Sequence, residues 1–313
     1  MEFLIVSILN GVIYGLLLFM VSAGLTLVFG MMGVLNFAHA SFYMLGAYLA
    51  YTLSGLFNFW VGLVVAPLIV AGIGMLIERF MLRRVHQFGH AHELLLTFGI
   101  AFICEELVKL FYGNFPVNYR VPPELNFAAF RLFNTDYPFY RIFIGLIALA
   151  MFAVLFALLT RTRIGIIVRG AERLPKMSEA LGHNVPLVFM GVFGTGAALA
   201  GLAGAVAGAF FPTNPNMAIE LGVIVFVVVV VGGLGSLAGS LVASLMIGVF
   251  TSFAVGLDWS LAGALSYVGL GEVARGIGGP LTMTLSSVSA TVPFFIMLIV
   301  LLIRPAGLLG SKT

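Results

Sequence analysis

The residues of this chain that could do chemistry are few, and the most informative ones lie where charge is absent. No Asp, Glu, Lys or Arg occurs between Glu2 and Glu78, yet that stretch contains Asn36-Phe37-Ala38-His39-Ala40-Ser41. Polar groups facing hydrocarbon are costly, so Asn36, His39 and Ser41 are expected to face another helix or a water-filled path. Asn36 and His39 are three apart, which places them on one side of a helix. Two readings stay open: the three residues line a substrate pathway or its gate, or Asn36 or Ser41 caps a helix start. A proton relay or metal site built on the single imidazole of His39 is the weaker alternative.

A second set is the break Gly232-Gly233-Leu234-Gly235-Ser236 within an uncharged run. Glycine permits unusual dihedrals and close approach. Exposed amides at such a break bind a carboxylate, or the small residues simply let helices pack tightly. A third set is the basic stretch 161–186, in which Pro175 suits a first helical turn and Gly182 a helix stop. Residues 175–181 should form an amphipathic helix outside the bilayer, either a contact surface for a cytoplasmic partner or a solvated loop. Glu105 and Lys109 are four apart, in the order that favours an ion pair, and read as a structural pair near the outer interface. His86, His90 and His92 read as part of a soluble loop, not a metal site. No HExxH, GxSxG or GxxxxGK[ST] motif is present, so the chain does not bind and hydrolyse ATP by the last of these routes. Cys104, the only cysteine, excludes an internal disulfide and a cysteine-based metal site. No metal or cofactor is expected.

The elements that must position these residues follow from composition. Of the 313 residues 61% are hydrophobic and 9% charged, against about 25% charged in soluble domains. A water-soluble surface cannot be covered with so few charges, so lipid must cover it. The fold class is all-α: a polytopic bundle with glycine-broken or half helices. A span needs about 20 apolar residues. The spans read 3–29, 34–56, 60–77, 94–112, 142–160 and 187–210, then a pair or two half-helices within 221–257, and a last one at 288–303. The count is about eight. Residues 259–287, broken by Pro280, fit no simple span. The chain is expected to be a single transmembrane domain over 1–313. Its first half covers about 1–112 and its second 141–313, with an extramembrane loop at 113–140 between them. Met1-Glu2-Phe3-Leu4 carries an acid where a cleavable signal needs a base. Gly30–Leu49 and Gly232–Phe250 echo each other, which suggests a two-fold internal repeat.

Orientation follows from the bases. Arg79, Arg83, Arg84, Arg161, Arg163, Arg169, Arg173, Lys176, Arg304 and Lys312, ten of the 15 Lys and Arg, fall in loops of one parity or in the C-terminal tail. The positive-inside rule puts them in the cytoplasm, with the N-terminus outside. Net charge +3 thus reflects membrane topology and not nucleic-acid binding.

Gly11–Tyr48, containing NFAH, resembles the N-terminal region of LivH-type permeases, members of the ATP-binding-cassette importers for branched-chain amino acids. Val227–Gly248, containing GGLGS, is similar to that family's second conserved region, and Arg304-Pro305-Ala306-Gly307-Leu308 to its RPxGL ending. The resemblance covers essentially the whole chain. It implies a second, LivM-like permease, two cytoplasmic ATP-binding subunits and an extracytoplasmic binding protein as partners, in a bacterial or archaeal inner membrane. It further implies that 161–186 holds the helix coupled to the ATPases. Arg169, Glu172, Arg173, Lys176, Ser178, Glu179, Ala180 and Gly182 are then the coupling residues. Arg169 and Gly182 match the family's ends; Gly170, Pro175 and Ser178 depart from its pattern. The implied cargo is a branched-chain amino acid. Urea, a short amide or an aromatic acid is the alternative cargo, and a stand-alone secondary transporter the alternative class.

Overall fold

The computed structural model describes residues 2–132, 135–257, 259–267, 272, 276, 279 and 282–310. Pro280 and Lys312, used in the sequence reading, lie outside the described residues. The helices in chain order are α1 (Glu2–Met32), α2 (His39–Leu56), α3 (Phe59–Ile77), α4 (Arg83–Val85), α5 (His90–Tyr112), α6 (Phe139–Arg161), α7 (Arg163–Arg173), α8 (Pro175–Ala180), α9 (Val185–Ala207), α10 (Met217–Gly232), α11 (Leu237–Gly256), α12 (Leu261–Ser266) and α13 (Val292–Ile303). Five described helices are long and apolar enough to cross a bilayer: α1, the rod Phe59–Phe88 that begins with α3, α6, α9 and α11. Met217–Gly232 and Ser289–Ile303 are apolar but shorter.

Small residues decide how these helices meet. Helices α1 and α11 run antiparallel: Gly11 faces Val249, Gly15 faces Ser244, and Phe3 lies at Gly256. A Cβ on Gly15 would sit 2.7 Å from the Ser244 carbonyl oxygen, and one on Gly248 would sit 2.4 Å from that of Gly11. The two backbones therefore touch, as small-residue stripes allow in membranes. The Thr26 and Ser240 hydroxyls bond across the same seam at 2.6 Å. Helix α9, rich in Gly and Ala, packs against α1, α2 and α3. A Cβ on its Gly204 would overlap the carbonyl of Tyr43 on α2.

Two departures from the sequence reading concern the polar segments. The loop 113–140 is not wholly irregular: β1 (Ala128–Leu132) and β2 (Thr135–Pro138) pair antiparallel. Arg131 stands opposite Asp136, with Nε donating to Oδ1 at 2.7 Å. The guanidinium holds the Asp136 carboxyl below its usual range, mainly through that hydrogen bond. The histidine region is likewise no soluble loop. Helix α3 continues through a π-helical turn (Glu78–Leu82), α4 and a 3-10 turn (His86–Phe88), and α5 begins at His90. Glu93 is buried in its first turn, and both His86 Nδ1 and His90 Nδ1 face its carboxylate. Both imidazoles hydrogen-bond the Glu93 carboxylate and tie this corner together.

Several contacts bring the same chain ends together. Arg83 binds Glu78 at 2.7 Å and donates to the Pro186 carbonyl at 2.8 Å, joining the end of the α3 rod to the start of α9. Met32, Glu78, Arg83, His86 and Glu179 line one hollow there, of about 130 Å³. The C-terminal segment returns to the same end: Leu308 and Leu309 donate to the carbonyls of Val231 and Gly232, while Gly235 touches Gly30.

Candidate functional site

Helix α1 ends because Gly33 turns the chain with φ +66°, its N–H closing on Phe29 at 2.8 Å. Residues 33–38 then run back along α1. The His39 imidazole consequently reaches the Val21 carbonyl, 2.9 Å from Nε2 and near the middle of α1. A carbonyl only accepts, so Nε2 carries the proton and Nδ1 is left as an acceptor. Asn36 shapes the turn: its Oδ1 accepts from Ala38 N–H at 3.0 Å, and its carbonyl accepts from His39 N–H. Asn36 therefore precedes α2. The shared helical face expected for Asn36 and His39 is replaced by an Asx turn whose side chain does the backbone's bonding.

The capping reading and the lining reading are then not exclusive, because the same residues border a pocket. Asn36, His39 and Ser41 line a space of about 340 Å³ with Phe98, Ala101 and Glu105 of α5 and Ala218, Gly222 and Phe226 of α10. Asn36 and His39 are 4% and 2% exposed, and Asn36 Nδ2 and His39 Nδ1 have no hydrogen-bond partner among the described residues. The walls are mostly apolar. Phe37 stacks on Phe226, with ring centroids 6.2 Å apart, and meets Phe98 edge-on. Thr97 holds the break from α5 by accepting from Phe37 N–H at 3.2 Å.

Helix α10 enters the pocket through a second break with the same bonding. Asn214 Oδ1 accepts from Asn216 N–H at 2.9 Å, and the Asn214 carbonyl accepts from Met217 N–H at 3.2 Å. Asn36–His39 and Asn214–Met217 thus start their helices by one device. Helix α2 follows a chain that leaves the α1 end carrying the basic clusters, whereas α10 follows the opposite end of α9. These two segments share their local bonding; the likeness of Gly30–Leu49 to Gly232–Phe250 is a separate one, with Gly33 and Gly233 both at positive φ. The sequence echo followed glycines, whereas the shared local geometry rests on asparagine.

Gly232, Gly233, Gly235 and Ser236 do not join this pocket. A Cβ on Gly233 would lie 2.4 Å from Gly310 N, and one on Gly235 would lie 2.9 Å from Gly30 Cα. Ser236 Oγ accepts from Gly239 N–H at 3.1 Å, capping α11. The hinge is a packed seam, because positive-φ glycines there let three backbone segments meet.

The coupling segment is two helices in place of one, broken at Leu174. Arg169 and Glu172 lie on α7, as does the backbone of Arg173, whose side chain is outside the described residues. Lys176, Ser178, Glu179 and Ala180 lie on α8, and Gly182 follows with φ +88°. Arg169 turns back to bond the Leu159 carbonyl of α6, and Ser178 is buried beside Gly170. Both face the protein. Glu172, Lys176, Glu179 and Ala180 are exposed. The outward face also carries Leu174, Met177 and Leu181, exposed by 61%, 62% and 75%. Leu174 stands at the break, Met177 on α8 and Leu181 just after it; this exposed apolar set is what attention to charged residues missed. The structural pair of Glu105 with Lys109 read from the sequence forms at 2.6 Å; that Glu105 also lines the pocket was not legible, because α5's rotation decides which way it faces.

Sequence comparison finds relatives among known transport permeases. The LivH high-affinity branched-chain amino acid transport permease of Salmonella typhimurium is 27% identical, over 96% of this chain and 94% of that protein. BraD of Pseudomonas aeruginosa, named for the same transport, is 25% identical over 97% and 95%. A probable LivH of Methanocaldococcus jannaschii is 26% identical over 97% and 92%. Among solved structures, PsaBC of Streptococcus pneumoniae in complex with a Fab aligns with TM-score 0.46 and 11% identity, over 95% of this chain and 91% of that one. The family model for branched-chain amino acid transport system permease components matches residues 7–301, and the chain belongs to that family.

Proposed function

We propose that this chain is the membrane-spanning subunit of an ATP-driven importer for branched-chain amino acids, one permease unit of an inner-membrane assembly. The observation that carries the reading is the pocket between α2, α5 and α10. Its walls are mostly apolar, and its polar side chains are Asn36, His39 and Ser41 at the break before α2 and in its first turn, with Glu105 on α5. Apolar walls suit an aliphatic side chain, and polar groups at broken helices suit its charged ends. Urea, which is polar throughout, fits such walls less well. Asn36, His39 and Ser41 are the pathway residues in this reading.

The drive comes from partners. The exposed stripe Leu174, Met177 and Leu181, flanked by Lys176 and Glu179, fits a groove on a cytoplasmic ATPase subunit. Movement there reaches α9 through 182–185 and the α3 rod through Arg83 on Pro186. Arg169 holds α7 to α6 and Ser178 packs α8 on α7; Glu172, Arg173 and Ala180 flank the contact, and Gly182 ends it. Grouping of the basic segments and the C-terminal end at one face supports a cytoplasmic placement there, with α1 starting outside. A second permease and an extracytoplasmic binding protein complete the assembly.

The test is leucine uptake into proteoliposomes. ATP-dependent uptake by the complete importer, lost when Met177→Glu disrupts the stripe, supports the reading. Uptake by this chain alone, or none of leucine, isoleucine or valine by the complete importer, overturns it.

A further inference from the structure

One carboxylate lines the pocket. Glu105 is 7% exposed, and its Oε1 lies 2.6 Å from Lys109 Nζ. The same ammonium lies 2.8 Å from Glu106 Oε1, whose side chain is 69% exposed. Lys109 is therefore shared between an acid that lines the pocket and one that faces outward. If Lys109 leaves Glu105, it keeps a partner in Glu106. An acid buried without a cation is costly, so Glu105 can release Lys109 only to another cation that comes to the pocket.

The remaining polar atoms sort by what they offer. His39 Nδ1 is an unpartnered acceptor and Asn36 Nδ2 an unpartnered donor, both buried. The first-turn amides of Ala40 and Ala218, both pocket residues, have no acceptor among the described residues. Acceptors therefore include Glu105 and His39. Donors gather at Asn36 and at the starts of α2 and α10, where the helix ends favour negative charge. Phe98, Phe102, Ile219, Val223 and Phe226 supply an apolar wall. Acceptors and donors beside an apolar wall match a zwitterionic α-amino acid with an apolar side chain.

We infer that the pocket is a transient intramembrane site for an aliphatic α-amino acid, in which the ligand's α-ammonium displaces Lys109 from Glu105 and Lys109 passes to Glu106. The donors at Asn36, Ala40 and Ala218 receive the carboxylate. This rests on the proposed cargo and adds the residue that checks it: a solute without an ammonium group cannot release Lys109, so amides and simple carboxylic acids are rejected at Glu105.

The test measures radiolabelled leucine binding to the purified permease–ATPase assembly without its binding protein, with 4-methylpentanoate, which lacks the amino group, as competitor. Glu105→Gln should weaken leucine binding at least tenfold and abolish the preference for leucine over 4-methylpentanoate; Glu105→Asp should keep the preference. Lys109→Met should tighten leucine binding, because the competing cation is gone. A purely structural ion pair gives the opposite sign: E105Q and K109M would then weaken binding together, and that result overturns the inference. So does unchanged binding in both variants, or occupation of the pocket by a lipid chain that leucine does not displace. In each of those cases leucine uptake by the wild-type importer still stands for the proposed function; loss of that uptake counts against the function itself.

Discussion

The chain breaks its apolar helices by two devices with opposite consequences. At Asn36 and Asn214 a side-chain carbonyl takes over a backbone bond, so the turn needs no positive φ. Around Gly233 and Gly235 the turn is made by positive φ, and the missing side chains let Gly310 and Gly30 close in. Asn36 and the first turn of α10, which follows Asn214, border a pocket of about 340 Å³, whereas the glycine break leaves no room. A helix break in a membrane protein is thus a site or a seam according to what satisfies its backbone.

The comparison can be broken most forcefully at the seam. Gly233→Ala places a Cβ against the Gly310 backbone at φ +101°. Overpacking together with a disfavoured dihedral should cost on the order of 3 kcal/mol or more. The expected outcome is a large fall in detergent Tm and in assembled protein, with leucine selectivity intact in whatever assembles. A selectivity change without a stability change would make the seam a site.

At the pocket the balance should reverse. Asn36→Ala removes the acceptor for Ala38 N–H, a loss of about 1 kcal/mol for a cap of this kind, and it also removes a donor to the ligand. Uptake should fall roughly fivefold or more while Tm moves by only a few degrees. Asn36→Asp, which keeps the acceptor, should retain the turn and lose the donor. Equal damage to Tm from N36A and G233A would erase the distinction.

Smaller effects sharpen the same contrast. Thr26→Val and Ser240→Ala cut one hydroxyl bond across the α1–α11 seam, worth about 1 kcal/mol. A double-mutant cycle on thermal stability should show coupling near that size and no effect on transport. The smallest effect is at the hairpin. Asp136, held low by Arg131, stabilises its strand pair fully above the ordinary carboxylate pKa, and that contribution is lost as pH falls through the lowered value. Amide exchange in 128–138 should rise on acidification in that window. Asp136→Asn should abolish the pH dependence and leave uptake unchanged.

Much of the architecture was legible because lipid imposes a coarse rule. Long uncharged runs must be buried helices, so α1, α3, α6, α9 and α11 could be read from composition and length. Asn36, His39 and Ser41 stood out for the same reason, as polar groups in a charge-free stretch. The hairpin was harder to see, since two short strands inside a mixed loop carry little periodic signal. The coupling stripe was hidden by its neighbours: charged residues at 169–179 drew the reading, while Leu174, Met177 and Leu181 form the exposed apolar face.

The amino-acid sequence by itself determined that this chain lives in a bilayer, carries no ATPase motif of its own, places polar Asn36, His39 and Ser41 in a charge-free stretch, and breaks a helix at Gly232–Ser236. Those conclusions depend only on residue type along the chain. The tertiary structure alone decided which break encloses space, that Asn214 answers Asn36, and that Glu105 lines the pocket while Glu106 faces outward. Such facts depend on helix rotation and on close approach between residues far apart in the chain, here about 180 positions in the case of the two asparagines. Local periodicity fixes a helix but not what its faces meet.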